Sequence, residues 1–216
     1  MNFLPSVLGL SIALAGPILL VSPANRILGD RERLLTKVIE QLFLWLLVGL
    51  VLTILIVWEK QSLASIGLRF QWQSFMWGLL LAGVLIFLVS PVLIWMLKKM
   101  QLNGFETGLA QLNQLPIWFL IFAVITGGTA EEILYRGYAI ARLSLFVGYG
   151  WAGLMALTAF AMVHLPLWGW GPVLTFFISG SLFTGFYLLT HDLLACIVAH
   201  IITDSLGLIV APRRRA

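Results

Sequence analysis

The chain has 216 residues, 61% of them hydrophobic and only 10% charged, with a mean hydropathy of +1.02; a soluble domain has roughly 45–50% apolar and about 25% charged residues. This composition excludes a soluble enzyme, and seven spans of about 20 residues nearly exhaust the length, leaving no room for a separate soluble catalytic domain. The net charge of +4 comes mainly from loop arginines and lysines, which read as membrane orientation and not as nucleic-acid binding.

In chain order, the first apolar run covers residues 3–23. It lacks the basic start and the small-residue cleavage site of a signal peptide, so a retained helix is expected. A charged stretch follows, with Arg26, Asp30, Arg31, Glu32, Arg33 and Lys37. Further spans are predicted at 40–58, 74–97, 116–142, 150–165, 172–190 and 193–210. The segment 59–73 carries Lys60 and Arg69 and reads as partly interfacial. Cys196, the single cysteine, falls inside a predicted span, so no intrachain disulfide can form. The predicted fold is all-α, a polytopic bundle of about seven transmembrane helices around a membrane-embedded polar site. Three spans would occupy residues 1–115 and four would form a core over 116–210, as one integrated membrane domain. If residues 24–37 are cytoplasmic, nine of the 13 lysines and arginines fall inside and four outside. The N-terminus is then expected outside and the C-terminus in the cytoplasm.

Ionisable residues at membrane depth are the informative exception to this apolar background. Each costs about 2.5–3.5 kcal/mol at the centre of a spanning helix on insertion scales, so a group of them marks a site. Glu132 and Arg136 stand i and i+4 on one helix face with the acid first, the favourable order for an ion pair. Glu131 points about 100° away and is left free to address something else. An ion pair that locks two helices accounts for Glu132 and Arg136 but not for the second glutamate. Phe160 and His164 repeat the i, i+4 spacing ahead of Pro166, and His200 and Asp204 repeat it in the last span. A single membrane histidine commonly serves as a helix–helix hydrogen-bonding residue, but Asp204 one turn from His200 has no solvent to escape to. His191, beside Asp192 in a short loop, reads as interfacial. At 1.5 Å per residue, Glu131 and His164 both lie roughly 20 Å into the membrane from opposite faces, and His200 roughly 10 Å in.

The pattern EExxxR (Glu131, Glu132, Arg136), FxxxH (Phe160, His164) and HxxxN or HxxxD (His200, Asp204), in that order on three apolar segments, resembles the CPBP or Abi family of intramembrane proteases, related to the Ras-converting CAAX prenyl endopeptidase. Gly137 and Ala199 fit the same pattern, and the resemblance covers residues 116–210. It implies hydrolysis of a peptide bond inside the bilayer of a prokaryotic cell, in a membrane-anchored or lipidated, CAAX-type substrate. It also implies that Glu131 and His164 activate a water, that His200 and Asp204 polarise the carbonyl, and that Glu132 and Arg136 support them. Asparagine is the commoner residue at position 204; it can donate a hydrogen bond where an ionised aspartate only accepts. Members are often described as metalloproteases, and Glu131, His164 and His200 are the residues that could ligate zinc. The preferred reading requires no cofactor, because a glutamate that ligates metal does not readily serve as base and the HExxH motif is absent. Other readings stay open. Ser179 or Ser181 beside Gly180 would be the nucleophile of a serine intramembrane protease. Glu131, Glu132, His164 and Asp204 would form the relay of a proton-coupled transporter, and a non-catalytic scaffold or immunity protein would need none of this chemistry.

Overall fold

The computed structural model describes residues 3–21, 33–102, 110–112 and 114–210. Most of the first basic stretch, from Arg26 to Glu32, and Arg213, Arg214 and Arg215, on which the expected orientation depends, lie outside the described residues. Every described element is helical. α1 is Leu4–Val21, α2 Leu34–Trp58 and α3 Trp72–Lys99; α4 covers 117–147 and α5 149–162; α6 is the short Leu165–Trp168, α7 Trp170–Thr190, and α8 begins with Leu193–Asp204 and continues through Ser205–Val210. Each of the seven expected spans corresponds to one of the helices other than α6. The protein is a polytopic helical membrane protein.

Local sequence explains where these helices bend and end. Residues Ile117–Met162 form an apolar stretch of 46 residues, about 69 Å as a straight helix, more than twice the roughly 30 Å hydrocarbon core of a bilayer. It cannot cross once. The break falls at Gly148 (φ 77°, ψ 162°), a conformation closed to residues with a Cβ, and the chain turns back there from α4 into α5. In α3, Pro91 has no N–H and its ring displaces the carbonyl one turn back. The helix widens to π geometry over Leu85–Val89, and the Leu85 carbonyl accepts from both the Ser90 amide and, at 2.8 Å, the Ser90 hydroxyl. Gly169 (φ 79°) separates α6 from α7.

The turn from α7 to α8 is fixed by three hydrogen bonds, two of them to other parts of the chain. Asp192 caps α8 by accepting from the Ala195 amide at 3.0 Å, and its other oxygen accepts from Ser74 Oγ of α3 at 2.8 Å. The Leu193 amide donates to the Gly67 carbonyl at 3.0 Å, in the loop after a short 3₁₀ turn at Leu63–Ile66. α8 packs between α3 and α4 at small residues. A Cβ on Gly78 would stand 2.7 Å from Val198, and one on Gly128 would stand 2.6 Å from the Ile201 side chain and 3.0 Å from its amide nitrogen. Close approach through glycine is how helices associate where lipid removes the hydrophobic drive. It sets α8 against α4 beside Glu131.

Candidate active site

In α4 the helix changes from α to π geometry at Glu132 and stays widened through Ala139, with all eight of these residues buried. Single π turns inside α-helices recur at functional sites. The change separates the environments of the two glutamates. Glu132, 0% exposed, turns into the bundle; Glu131 keeps 21% of its side chain exposed.

Glu132 and Arg136 form the expected ion pair, Nη1 to Oε1 at 3.1 Å. The sequence reading misses a further partner of Glu132. His200 Nδ1 lies 2.8 Å from the same oxygen. A carboxylate can only accept, so Nδ1 carries the hydrogen. Arg136 completes its surroundings by donating from Nη2 to the Gly180 carbonyl at 3.5 Å and lying over the rings of Phe160 and Phe183, with Cζ 4.1 and 5.6 Å from their centroids. Delocalised charge over an aromatic face is the favoured way to bury a guanidinium without water.

Glu131 lies between the two histidines, its carboxylate 4.0 Å from His164 Nε2 through one oxygen and 3.9 Å from His200 Nε2 through the other. His164 Nδ1 donates to the Phe160 carbonyl at 2.8 Å, which fixes the hydrogen on Nδ1 and leaves the Nε2 lone pair facing Glu131. Asp204 Oδ2 stands 3.5 Å from His200 Nε2, and with 37% of its side chain exposed it lines the open side of the group. The structure therefore brings Glu131, His164, His200 and Asp204 together, although three different helical segments supply them. The hydroxyls of Ser179 and Ser181 point elsewhere, donating within α7 to the carbonyls of Thr175 and Ile178.

Tetrahedral zinc with bonds of about 2.0–2.1 Å holds its donor atoms roughly 3.3–3.4 Å apart. The separations around Glu131 are wider, and among the described residues no three His, Cys, Asp or Glu side chains are arranged to hold a metal ion.

Residues 113–206 match the sequence model of the family described as Type II CAAX prenyl endopeptidase Rce1-like. This segment is similar to that family. No curated protein and no solved structure matches the chain. The CAAX endopeptidase match begins just before α4 and ends in α8, so all the residues around Glu131 fall inside it. The match supports, in general terms, protease chemistry of the CAAX type on membrane-associated substrates. A second buried polar group lies partly outside the CAAX endopeptidase segment. Glu59, at the end of α2, accepts from Arg142 Nε at 2.7 Å, from Tyr138 Oη at 3.0 Å and from Ser6 Oγ of α1 at 2.7 Å. Sequence reasoning placed Arg142 in the fourth helix but found no partner for it, since Glu59 is 83 positions away.

Proposed function

We propose that the chain is an intramembrane endopeptidase that hydrolyses a peptide bond in a membrane-anchored or lipidated substrate with a glutamate-activated water. The observation that carries this reading is the position of Glu131 between the Nε2 atoms of His164 and His200. At about 4 Å these atoms are too far apart for direct hydrogen bonds and suited to bridging by one water. The water donates one hydrogen to Glu131 and one to the His164 Nε2 lone pair, which leaves its oxygen lone pair free for the scissile carbon. As the oxygen–carbon bond forms, Glu131 takes the proton; as the carbon–nitrogen bond breaks, Glu131 returns it to the leaving amine.

His200 is held by Glu132 through Nδ1, so its Nε2 edge faces the reacting group and, as the imidazolium, donates to the oxyanion. Asp204 orients that edge or, protonated, adds a second donor. Glu132 and Arg136 keep His200 and the widened part of α4 in place. The partly exposed Glu131 and Asp204 form the side from which a substrate backbone reaches the water. We place the N-terminus outside and the C-terminus in the cytoplasm, on the bias of the lysines and arginines.

The test is cleavage, by protein purified in detergent, of a farnesylated CAAX peptide and of an unmodified membrane peptide, each with and without a zinc chelator. Cleavage of at least one peptide, unchanged by chelator, is the expected result. Loss of activity to chelator, restored by zinc, would replace the glutamate–water mechanism with a metal-dependent one. No cleavage of either peptide would favour the transporter or scaffold reading.

A further inference from the structure

α7 carries none of the charged or histidine side chains of the site, yet one of its faces touches three of them. Phe176, Gly180 and Phe183 stand at i, i+4 and i+7, one stripe of a helix. The Phe176 ring lies 4.1 Å from the His164 ring at an interplanar angle of 35°. The Gly180 carbonyl accepts from Arg136, and a Cβ at Gly180 would come within 3.0 Å of Arg136 Nη2, so glycine leaves room for the guanidinium. The Phe183 ring lies 5.3 Å from the His200 ring at 38°. His200 also has polar partners at both ring nitrogens. His164 is held more sparingly. Its one short hydrogen bond, to Phe160 at 2.8 Å, selects the tautomer but leaves the imidazole free to tilt about that bond. Phe160 meets its ring only edge-on, at 5.2 Å and 70°. Among the described residues, the ring that covers the face of His164 is Phe176, tilted by 35°.

We propose that Phe176 is a positioning residue: by packing its ring against the face of His164, at 4.1 Å and 35°, it restricts tilting of the imidazole so that Nε2 faces Glu131. The inference rests on the reading of Glu131 and His164 as the pair that holds the attacking water. A reacting group displaced by about 1 Å can lose about 100-fold in rate, so a ring free to tilt should reduce turnover without weakening substrate binding.

The experiment compares Phe176→Met, which keeps bulk and removes the ring, with Phe176→Tyr, which keeps the ring. Each variant is labelled with ¹⁵N-histidine for NMR in micelles and assayed on the farnesylated CAAX peptide and the unmodified membrane peptide, beside Glu131→Gln. The expected result is a sharp His164 signal of the Nδ1–H tautomer in the parent and in Phe176→Tyr. In Phe176→Met the signal is broadened or mixed, and kcat falls about 10- to 100-fold with KM within about twofold. An unchanged His164 signal and kcat in Phe176→Met, or a lowered melting temperature with the His164 signal unchanged, would overturn the proposal and leave Phe176 a packing residue. Retained activity in Glu131→Gln would instead overturn the water-activation reading on which it rests.

Discussion

One oxygen of Glu132 accepts from both Arg136 and His200, which changes what its removal should do. The sequence pairs it only with Arg136, four positions on, and so suggests a supporting role whose loss mainly lowers stability. In the structure, Glu132→Ala strands a buried guanidinium and also frees the Nδ1 side of His200. Removing one partner of a buried ion pair destabilises by about 3–5 kcal/mol, so thermal unfolding should shift markedly downward. Any folded fraction should also turn over more slowly per molecule, measured as peptide cleavage normalised to folded protein. Asp204 gives the opposite expectation. If it orients His200 or acts as a protonated donor, Asp204→Asn keeps that capacity, because an amide donates without needing to hold a proton. Its cleavage rate at neutral pH should equal or exceed that of the parent; a rate reduced more than about tenfold would mean that a carboxylate is required there.

At the scale of elements, the site depends on how closely α8 approaches α4, and Gly128 sets that approach next to His200. A methyl at position 128 would meet the Ile201 amide nitrogen at 3.0 Å, and backbone cannot move aside as a side-chain tip can. Gly128→Ala should therefore push α8 outward, costing about 1–3 kcal/mol of stability as overpacking typically does, and separate His200 from Glu132. A melting curve and a cleavage assay on the same sample would show both losses, whereas Gly127→Ala, with nothing within 4 Å of its added carbon, should show neither. The paired residues at i, i+4 were legible in the sequence because charges and histidines inside apolar spans have few explanations. The contribution of α7 was not, since phenylalanines in a membrane helix look like lipid-facing or packing residues until the histidines are placed beside them. Nor was the widening of α4 at Glu132 legible, because nothing in the residue pattern separates a π turn from an α-helix of the same apolar content.

Across the whole molecule, the seven long helices among the described residues follow from apolar runs of the right length, and the fourth and fifth runs turn at Gly148. One tie between the N-terminal helices and the CAAX endopeptidase segment that was not legible runs through Glu59, which lies in a stretch that reads as interfacial but reaches Arg142 and Tyr138 of α4 and Ser6 of α1. Glu59→Ala should strand Arg142 and loosen α1 and α2 from α4, lowering the unfolding temperature by an amount equivalent to about 3–5 kcal/mol; a shift no larger than that of an exposed control such as Gln61→Ala would remove the buried-pair assignment. None of these changes bears on the central claim as directly as Glu131. The decisive measurement is cleavage of the farnesylated CAAX peptide and the unmodified membrane peptide by Glu131→Gln, beside the parent and at matched folded protein. The amide keeps the shape of the side chain but cannot take a proton from water, so the account predicts turnover at least about 100-fold lower with an unchanged melting temperature. Turnover within a few-fold of the parent would contradict it.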